Sequence, residues 1–298
     1  MVTLQILVLP FLVRVRVAQQ GTTESTVHPC FSFIISMRIE TITLEEVGST
    51  NSFLANYHPL RPADITLVTA EHQTAGRGQR GNTWVSEAGK NLLFSLLVRP
   101  TELPAAHAFS LSEAIALSIR EALLLTMNED GDPKGGLTVK WPNDIYVDDQ
   151  KIAGILIENG IHGHHIEHSI IGCGVNVNQK QWTDNLQGWT TGIVPVSLAL
   201  LLNHEIVRDI VLDRIMNSFV SHYEQLLSGC FNVLHDEYLA ALYHREGIHN
   251  YIDLTPSASS HEPFQACIVD IEPSGHLVLR DTSGNIRRYA FKEVAQLK

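Results

Sequence analysis

Glycines and arginines interleave in the segment Gly76-Arg77-Gly78-Gln79-Arg80-Gly81. Glycine lets a backbone approach a ligand and expose N–H donors, and guanidinium groups pair well with phosphate or carboxylate oxygens. The combination could hold a small anion. The Gly-Lys-Ser/Thr ending of a phosphate-binding P-loop is missing, and a basic surface hairpin with glycine turns would use the same residues. Further on, Lys140-Trp141-Pro142-Asn143-Asp144 is followed by Lys151, just before Ile152-Ala153-Gly154. A lysine among β-branched and small apolar strand residues is costly unless its ammonium has a partner, such as a ligand carboxylate or phosphate. A strand-end lysine whose head reaches solvent avoids that cost.

The elements that must position these groups follow from the patterning. DITLVTAE (64–71) and NLLFSLLVRP (91–100) are short, β-rich and bounded by turn residues, as buried strands are. LSEAIALSIREALLLTM (111–127) sets Leu111, Ile115, Ile119 and Ala122 at helical spacing, with Ser110 or Ser112 as cap. LTVKWPNDIYVDDQKIAGILIEN (137–159) reads as two strands joined by a turn at Asp148 and Asp149, and HSIIGCGVNVN (168–178) as a third. Val211, Ile215, Phe219 and Tyr223 recur every four residues in a second long helix that stops at Gly229. After about Gly247, alternating strands with PSG and TSG turns suit a small antiparallel barrel.

With 298 residues, 21 Lys plus Arg against 32 Asp plus Glu and a net charge of −11, the chain is long enough for one catalytic-size domain and one small one. That charge argues against non-specific nucleic-acid binding by the whole surface. No apolar run is long enough to span a bilayer, which predicts a soluble protein. Cys30, Cys173, Cys230 and Cys267 form no CxxC pair, so neither a zinc site nor a disulfide framework is expected, and a reducing cytoplasm fits best. In residues 1–36 the basic Arg14 and Arg16 follow the apolar run instead of preceding it, unlike a secretory signal. We expect translation to begin at Met37, with residues 1–36 a disordered tail or a gene-start artefact. The catalytic domain is then expected over 37–246 and the small one over 247–298.

Together, Ser49-Thr50-Asn51, QTAGRGQRGNTW, KWPNDI and KIAGILIE, in this order and at these intervals, resemble the biotin protein ligases over residues 39–298. The resemblance implies an α+β fold: a central mixed sheet with flanking helices, related to class II aminoacyl-tRNA synthetases, followed by a small SH3-like barrel. It implies that biotin and ATP form biotinyl-5'-AMP and pyrophosphate, after which a lysine of a biotin carboxyl carrier protein, of an acyl-CoA carboxylase, takes the biotinyl group. By position, Ser49, Thr50, Asn51 and Gln73 would line the biotin site, their hydroxyls and amides suiting the ureido ring. Arg77, Gly78 and Gln79 would wrap biotin and its adenylate, Gly76 and Arg80 belonging to the same loop, with Arg80 on phosphate. Lys151 would contact the carboxylate and phosphate, and with Arg77 is the expected catalytic pair. Trp84 would supply an aromatic wall, and Asn143 and Asp144 are candidates to orient phosphate-bound Mg²⁺, a structural turn being an equal reading of Asp144. Gly154, Gly172 and Gly174 would let strand backbones approach the ligand, although strand glycines also mark bulges or tight packing.

The loop departs from the most arginine-rich family form at Gln79 and Asn82. Some members carry an N-terminal helix-turn-helix, and the stretch before residue 37 is too short for one, so no DNA binding is expected. A homodimer is compatible with the family. A lipoate or octanoate ligase of the same architecture is the rival enzyme, and a non-catalytic binding module the rival of another class. His162, His164, His165 and His168 resemble a metal tract but fall where a hairpin should turn. Cys173 reads as a buried small hydrophobe. Amino-terminal sequencing of native protein tests the start at Met37: a terminus upstream refutes it.

Overall fold

The computed structural model describes residues 37–129, 136–182, 194–256 and 262–297, together with Ile6–Leu7. Apart from those two residues, the 1–36 extension and the expectation placed on it lie outside the described residues.

Among the described residues, one sheet has nine strands: β1 (Ile6–Leu7), β2 (Ile39–Val47), β3 (Ile65–Gln73), β4 (Leu92–Val98), β5 (Leu137–Lys140), β6 (Asp144–Val147), β7 (Gln150–His162), β8 (His165–Val175) and β9 (Val194–Pro195). Their order is β1-β2-β3-β4-β8-β7-β6-β5, with β9 beside β7. The sheet is mixed, since β2 with β3 and β7 with β9 are parallel and the other pairs antiparallel. The helices are α1 (Thr50–Ala55), α2 (Phe109–Glu129), α3 (Leu198–Leu202), α4 (Arg208–Leu227) and α5 (Phe231–Ala240).

Side chains alternate across a strand, so each strand serves two layers. Ile65, Leu67, Phe94, Leu96 and Ile171 join the main core with Leu111, Ile115, Ile119 and Phe219 of α2 and α4. The residues one step away, Val68, Ala70, Leu97 and Ile170, pack with Leu54 of α1 in a second cluster. The functional residues belong to this second face. α4 ends as its pattern requires, with Gly229 at φ +75.

Two expectations need correction. The 137–159 segment makes three strands instead of two: the turn at Asp148–Asp149 is present, but Trp141–Asn143 forms another. Pro142 has no N–H to continue a ladder, so the chain folds back there. Neither Ser110 nor Ser112 caps α2, because the helix already runs from Phe109, directly after a 3₁₀ turn at Ala105–His107. Among the described residues, Cys173 and Cys267 are free. The short α1, α3 and α5 carry too few periodic positions to stand out in the sequence.

A second sheet comprises β10 (His249–Asp253), β11 (Pro263–Ile271), β12 (Leu277–Asp281), β13 (Ile286–Tyr289) and β14 (Val294–Gln296), antiparallel throughout, in the order β13-β12-β11-β10-β14. It is the expected C-terminal SH3-like unit. Trp141 donates Nε1–H to Gly275 O at 3.0 Å, tying it to the KWPND turn. His235 of α5 bonds to buried Glu113 of α2 and to Asp270 of β11, both at 2.8 Å. The hydrogen bond with Glu113, joined by that with Asp270, outweighs burial and pushes the His235 pKa up to about 9.

A pKa raised above the unfolded value stabilises the fold when the proton is bound in both states, and that gain is lost as the proton leaves the folded state. The stability advantage of the native protein over His235→Gln is therefore expected to be greatest below pH 6.5 and to shrink as pH rises through about 9. Urea unfolding across that range checks this; a difference independent of pH refutes it.

Candidate active site

β7 and β8 pair so that Gly154 faces Gly174 and Leu156 faces Gly172. A Cβ on Gly174 would lie 2.3 Å from the Trp84 ring, one on Gly154 2.9 Å from it, and one on Gly172 2.1 Å from Asn51 Oδ1. The three glycines thus form a floor on which the Trp84 indole and the Asn51 amide lie directly against backbone. Above and beside this floor is a cavity of about 690 Å³.

One end of the cavity is neutral and polar. Ser49, Thr50 and Asn51 are buried at the start of α1, although the Ser49 side chain makes no capping bond. Gln73, the last residue of β3, accepts from Thr50 N–H (2.8 Å) and Thr50 Oγ1 (3.2 Å). Ser95, buried in β4, donates within reach of Thr50 Oγ1 and Asn51 Oδ1, both at 2.6 Å. Asn51 Nδ2 donates to Glu158 Oε2 at 2.8 Å. Hydroxyl and amide groups held this way are fixed donors and acceptors.

The other end is charged. Lys151 Nζ lies 2.7 Å from Asp144 Oδ1, and the lysine side chain is 14% exposed. The strand lysine therefore has an anionic partner and does not reach out into solvent. Its ammonium also lies 5.7 Å from the centre of the Trp84 ring. Asn143 donates Nδ2–H to Ile155 O and accepts from Ile155 N–H at 2.9 Å, so the KWPND turn is laced to β7. Lys140 Nζ sits 4.8 Å from the Tyr146 ring centre and 5.5 Å from that of Tyr243. Burial raises the Tyr146 and Tyr243 hydroxyl pKa values above the ordinary range, keeping both protonated.

The glycine-rich loop is closed on itself. Arg77 bridges Thr83, Gly78 N–H donates to Asn82 O (2.7 Å), and Trp84 N–H donates to Gly76 O (3.0 Å). A Cβ on Gly76 would meet Trp84 O at 2.4 Å, and Gly81 has φ +86, so these two positions need glycine. Arg77 bonds to Glu158 at 2.6 Å. Gln79 Oε1 is buried, lines the cavity and accepts no hydrogen bond among the described residues.

The structure thus gathers Ser49, Thr50, Asn51, Gln73, Arg77, Gly78, Gln79, Trp84, Asn143, Lys151, Gly154 and Gly174 around one cavity. Gly76 supports the loop from behind this lining, and the Arg80 side chain lies outside the described ones. Cys173 is buried, which raises its thiol pKa, consistent with a packing role. Sequence reading missed Ser95 and Glu158, which hold lining residues from behind, and the C-terminal lining residues Phe291 and Gln296. A lone serine inside LLFSLLV and a carboxylate closing KIAGILIE were the available signals for the first two; nothing pointed to the others.

A concave pocket with an aromatic wall and convergent polar groups has the form of a small-molecule site. Residues 43–176 match the Biotin/lipoate A/B protein ligase family. A biotin--[acetyl-CoA-carboxylase] ligase of Paracoccus denitrificans is 34% identical over 218 residues, which is 73% of this chain and 85% of that protein. The bifunctional ligase/repressor BirA of Escherichia coli strain K12 is 37% identical over 151 residues, 50% of this chain but only 44% of that relative. The fold is similar to that of the biotin protein ligase from Aquifex aeolicus in complex with biotin and ATP, with a TM-score of 0.66 at 22% identity, covering 87% of this chain and 98% of that one. The chain belongs to the biotin/lipoate A/B protein ligase family. Within that family, the Paracoccus denitrificans and Aquifex aeolicus proteins are biotin ligases.

Glu158 holds both Asn51 and Arg77, and its pair with Arg77 is partly exposed, worth about 1 kcal/mol at most. Glu158→Gln is accordingly expected to speed tryptic cleavage after Arg77 by up to about fivefold. A cleavage rate equal to that of the native protein would show that this contact does not restrain the loop.

Proposed function

We propose that this protein activates biotin with ATP to biotinyl-5'-AMP and then transfers the biotinyl group to a lysine of a biotin carboxyl carrier protein or domain of an acyl-CoA carboxylase, in the cytoplasm. The observation that carries the reading is the single cavity that joins a hydroxyl and amide end to the Lys151 ammonium across the glycine floor.

In the first step a biotin carboxylate oxygen attacks the α-phosphorus and pyrophosphate leaves. In the second, the carrier lysine's amine attacks the acyl carbon and AMP leaves. Thr50, Asn51 and Gln73, already oriented by Ser95 and by one another, suit the donors and acceptors of a ureido ring. Lys151, held beside Asp144, would offset the charge that gathers where carboxylate meets phosphate. Arg77 and Arg80 would add charge on the loop side, Arg77 exchanging Glu158 for an anionic ligand oxygen. Trp84 and the closed loop would keep water from the mixed anhydride. The domains are taken to run over 37–246 and 247–298, with Phe291 and Gln296 of the latter completing the wall.

Asn143 Oδ1 and the Asp144 carboxylate are oxygen donors beside the cavity, which fits Mg²⁺, a cation that takes one or two protein oxygens and otherwise phosphate and water. Bound with ATP, it would neutralise phosphate charge.

Pyrophosphate release with ATP, Mg²⁺ and either biotin or lipoate, alongside mass measurement of an acceptor carrier domain, tests the reading. Biotin is expected to drive release and add one biotinyl group to the carrier, and Lys151→Ala to lower the rate by about 10²-fold or more. Lipoate working in place of biotin would favour the lipoate or octanoate ligase. Binding of biotin with no release would mean a binding module.

A further inference from the structure

The histidine tract 162–168 lies on the β7–β8 hairpin, but no three metal-ligating groups of it converge among the described residues. Three groups from distant parts of the chain do: Glu121 on α2, His222 on α4 and Glu237 on α5, with ligand atoms all within 4.8 Å of one another. The His222 side chain is only 5% exposed, while both carboxylates reach the surface.

The neighbours of this buried ring fix where its proton sits. His222 Nδ1 lies 3.0 Å from Ser118 Oγ and 3.4 Å from Ser218 Oγ. Each hydroxyl has its single proton committed elsewhere: Ser118 donates to Ala114 O at 2.6 Å and Ser218 to Glu121 Oε2 at 2.5 Å. Both serine oxygens can therefore only accept, so Nδ1 carries a hydrogen. A metal-bound histidine is held in this manner, one ring nitrogen donating to a neighbour and the other turned to the ion.

Nε2 makes no hydrogen bond among the described residues. It faces Glu121 Oε1 at 3.5 Å and Glu237 Oε2 at 3.8 Å. A charge-assisted hydrogen bond would close to roughly 2.7–2.9 Å. A ring nitrogen and two carboxylate oxygens around a tetrahedral zinc ion, with bonds of about 2.0–2.2 Å, stand roughly 3.5 Å apart.

We propose that Glu121, His222 and Glu237 bind one divalent cation of the zinc class, with the remaining coordination position open to water. The ion clamps α2, α4 and α5 together. Tyr238, next to Glu237, donates its hydroxyl to Pro142 O at 3.3 Å, so the clamp steadies the helix beneath the KWPND turn without touching the ligand cavity.

The test uses the full chain, stripped with a chelator and titrated with Zn²⁺ against a chromophoric competitor, and with Co²⁺ followed by its visible absorbance. One saturable site per chain is expected, weakened at least tenfold in Glu237→Gln and in His222→Gln, and unchanged in a His164→Gln/His165→Gln hairpin control. Zn²⁺ is also expected to raise Tm in the native protein and not in Glu237→Gln, whose exposed position keeps that variant folded. Absence of a saturable site, an affinity unaffected by Glu237→Gln, or an affinity lost in the hairpin control would each overturn the proposal and leave an ion-paired cluster only.

Discussion

Everything in the ligand cavity depends on the register between β7 and β8. Because side chains alternate along a strand, a slip of β7 by one residue would turn Gly154 to the opposite layer and bring Ile155 under the indole, and a slip of β8 would do the same with Gly174 and Cys173. In the observed register the site face has no side chains at these points. Backbone close enough to touch Trp84 and Asn51 is the result. The register is enforced from the other layer, where Ile155, Ile171 and Cys173 are buried in the main core.

On this floor, polar groups are held by one another. Ser95, Thr50, Asn51, Gln73 and Glu158 form a connected network, and Glu158 extends it to Arg77 on the glycine-rich loop. Partly buried polar groups are costly unless bonded, so such a network holds a single geometry. The loop is thereby linked to the start of α1. At the opposite end Asp144 performs the same service for Lys151, pairing with its nearly buried ammonium.

The second sheet shares the main hydrophobic core through Ile268, Ile271, Leu277 and Leu279, and polar contacts fix it in place. His235 bridges a buried glutamate of α2 to Asp270, and Trp141 links the KWPND turn to Gly275. Both contacts lie beside elements that shape the cavity, so the C-terminal unit contributes a wall through Phe291 and Gln296.

Local patterning alone determined the buried strands β3, β4 and β8, the long helices α2 and α4, the Gly229 stop and the antiparallel character of the C-terminal sheet. Period-2 and period-3.6 repeats are written into neighbouring residues. The motif glycines, arginines and Lys151 were legible too, because their chemistry is carried by residue type and close spacing. Tertiary structure decided the rest. That Lys151 meets Asp144, that Glu158 restrains Arg77, that Ser95 orients Asn51 and that Glu121, His222 and Glu237 converge all depend on strand order and helix packing. The turn at Pro142 could have been read from its missing N–H, but the partners that pin it, Ile155 and Gly275, could not. Contacts between residues far apart in the chain arise only when the two faces of the sheet have been assigned, and no local spacing encodes that assignment.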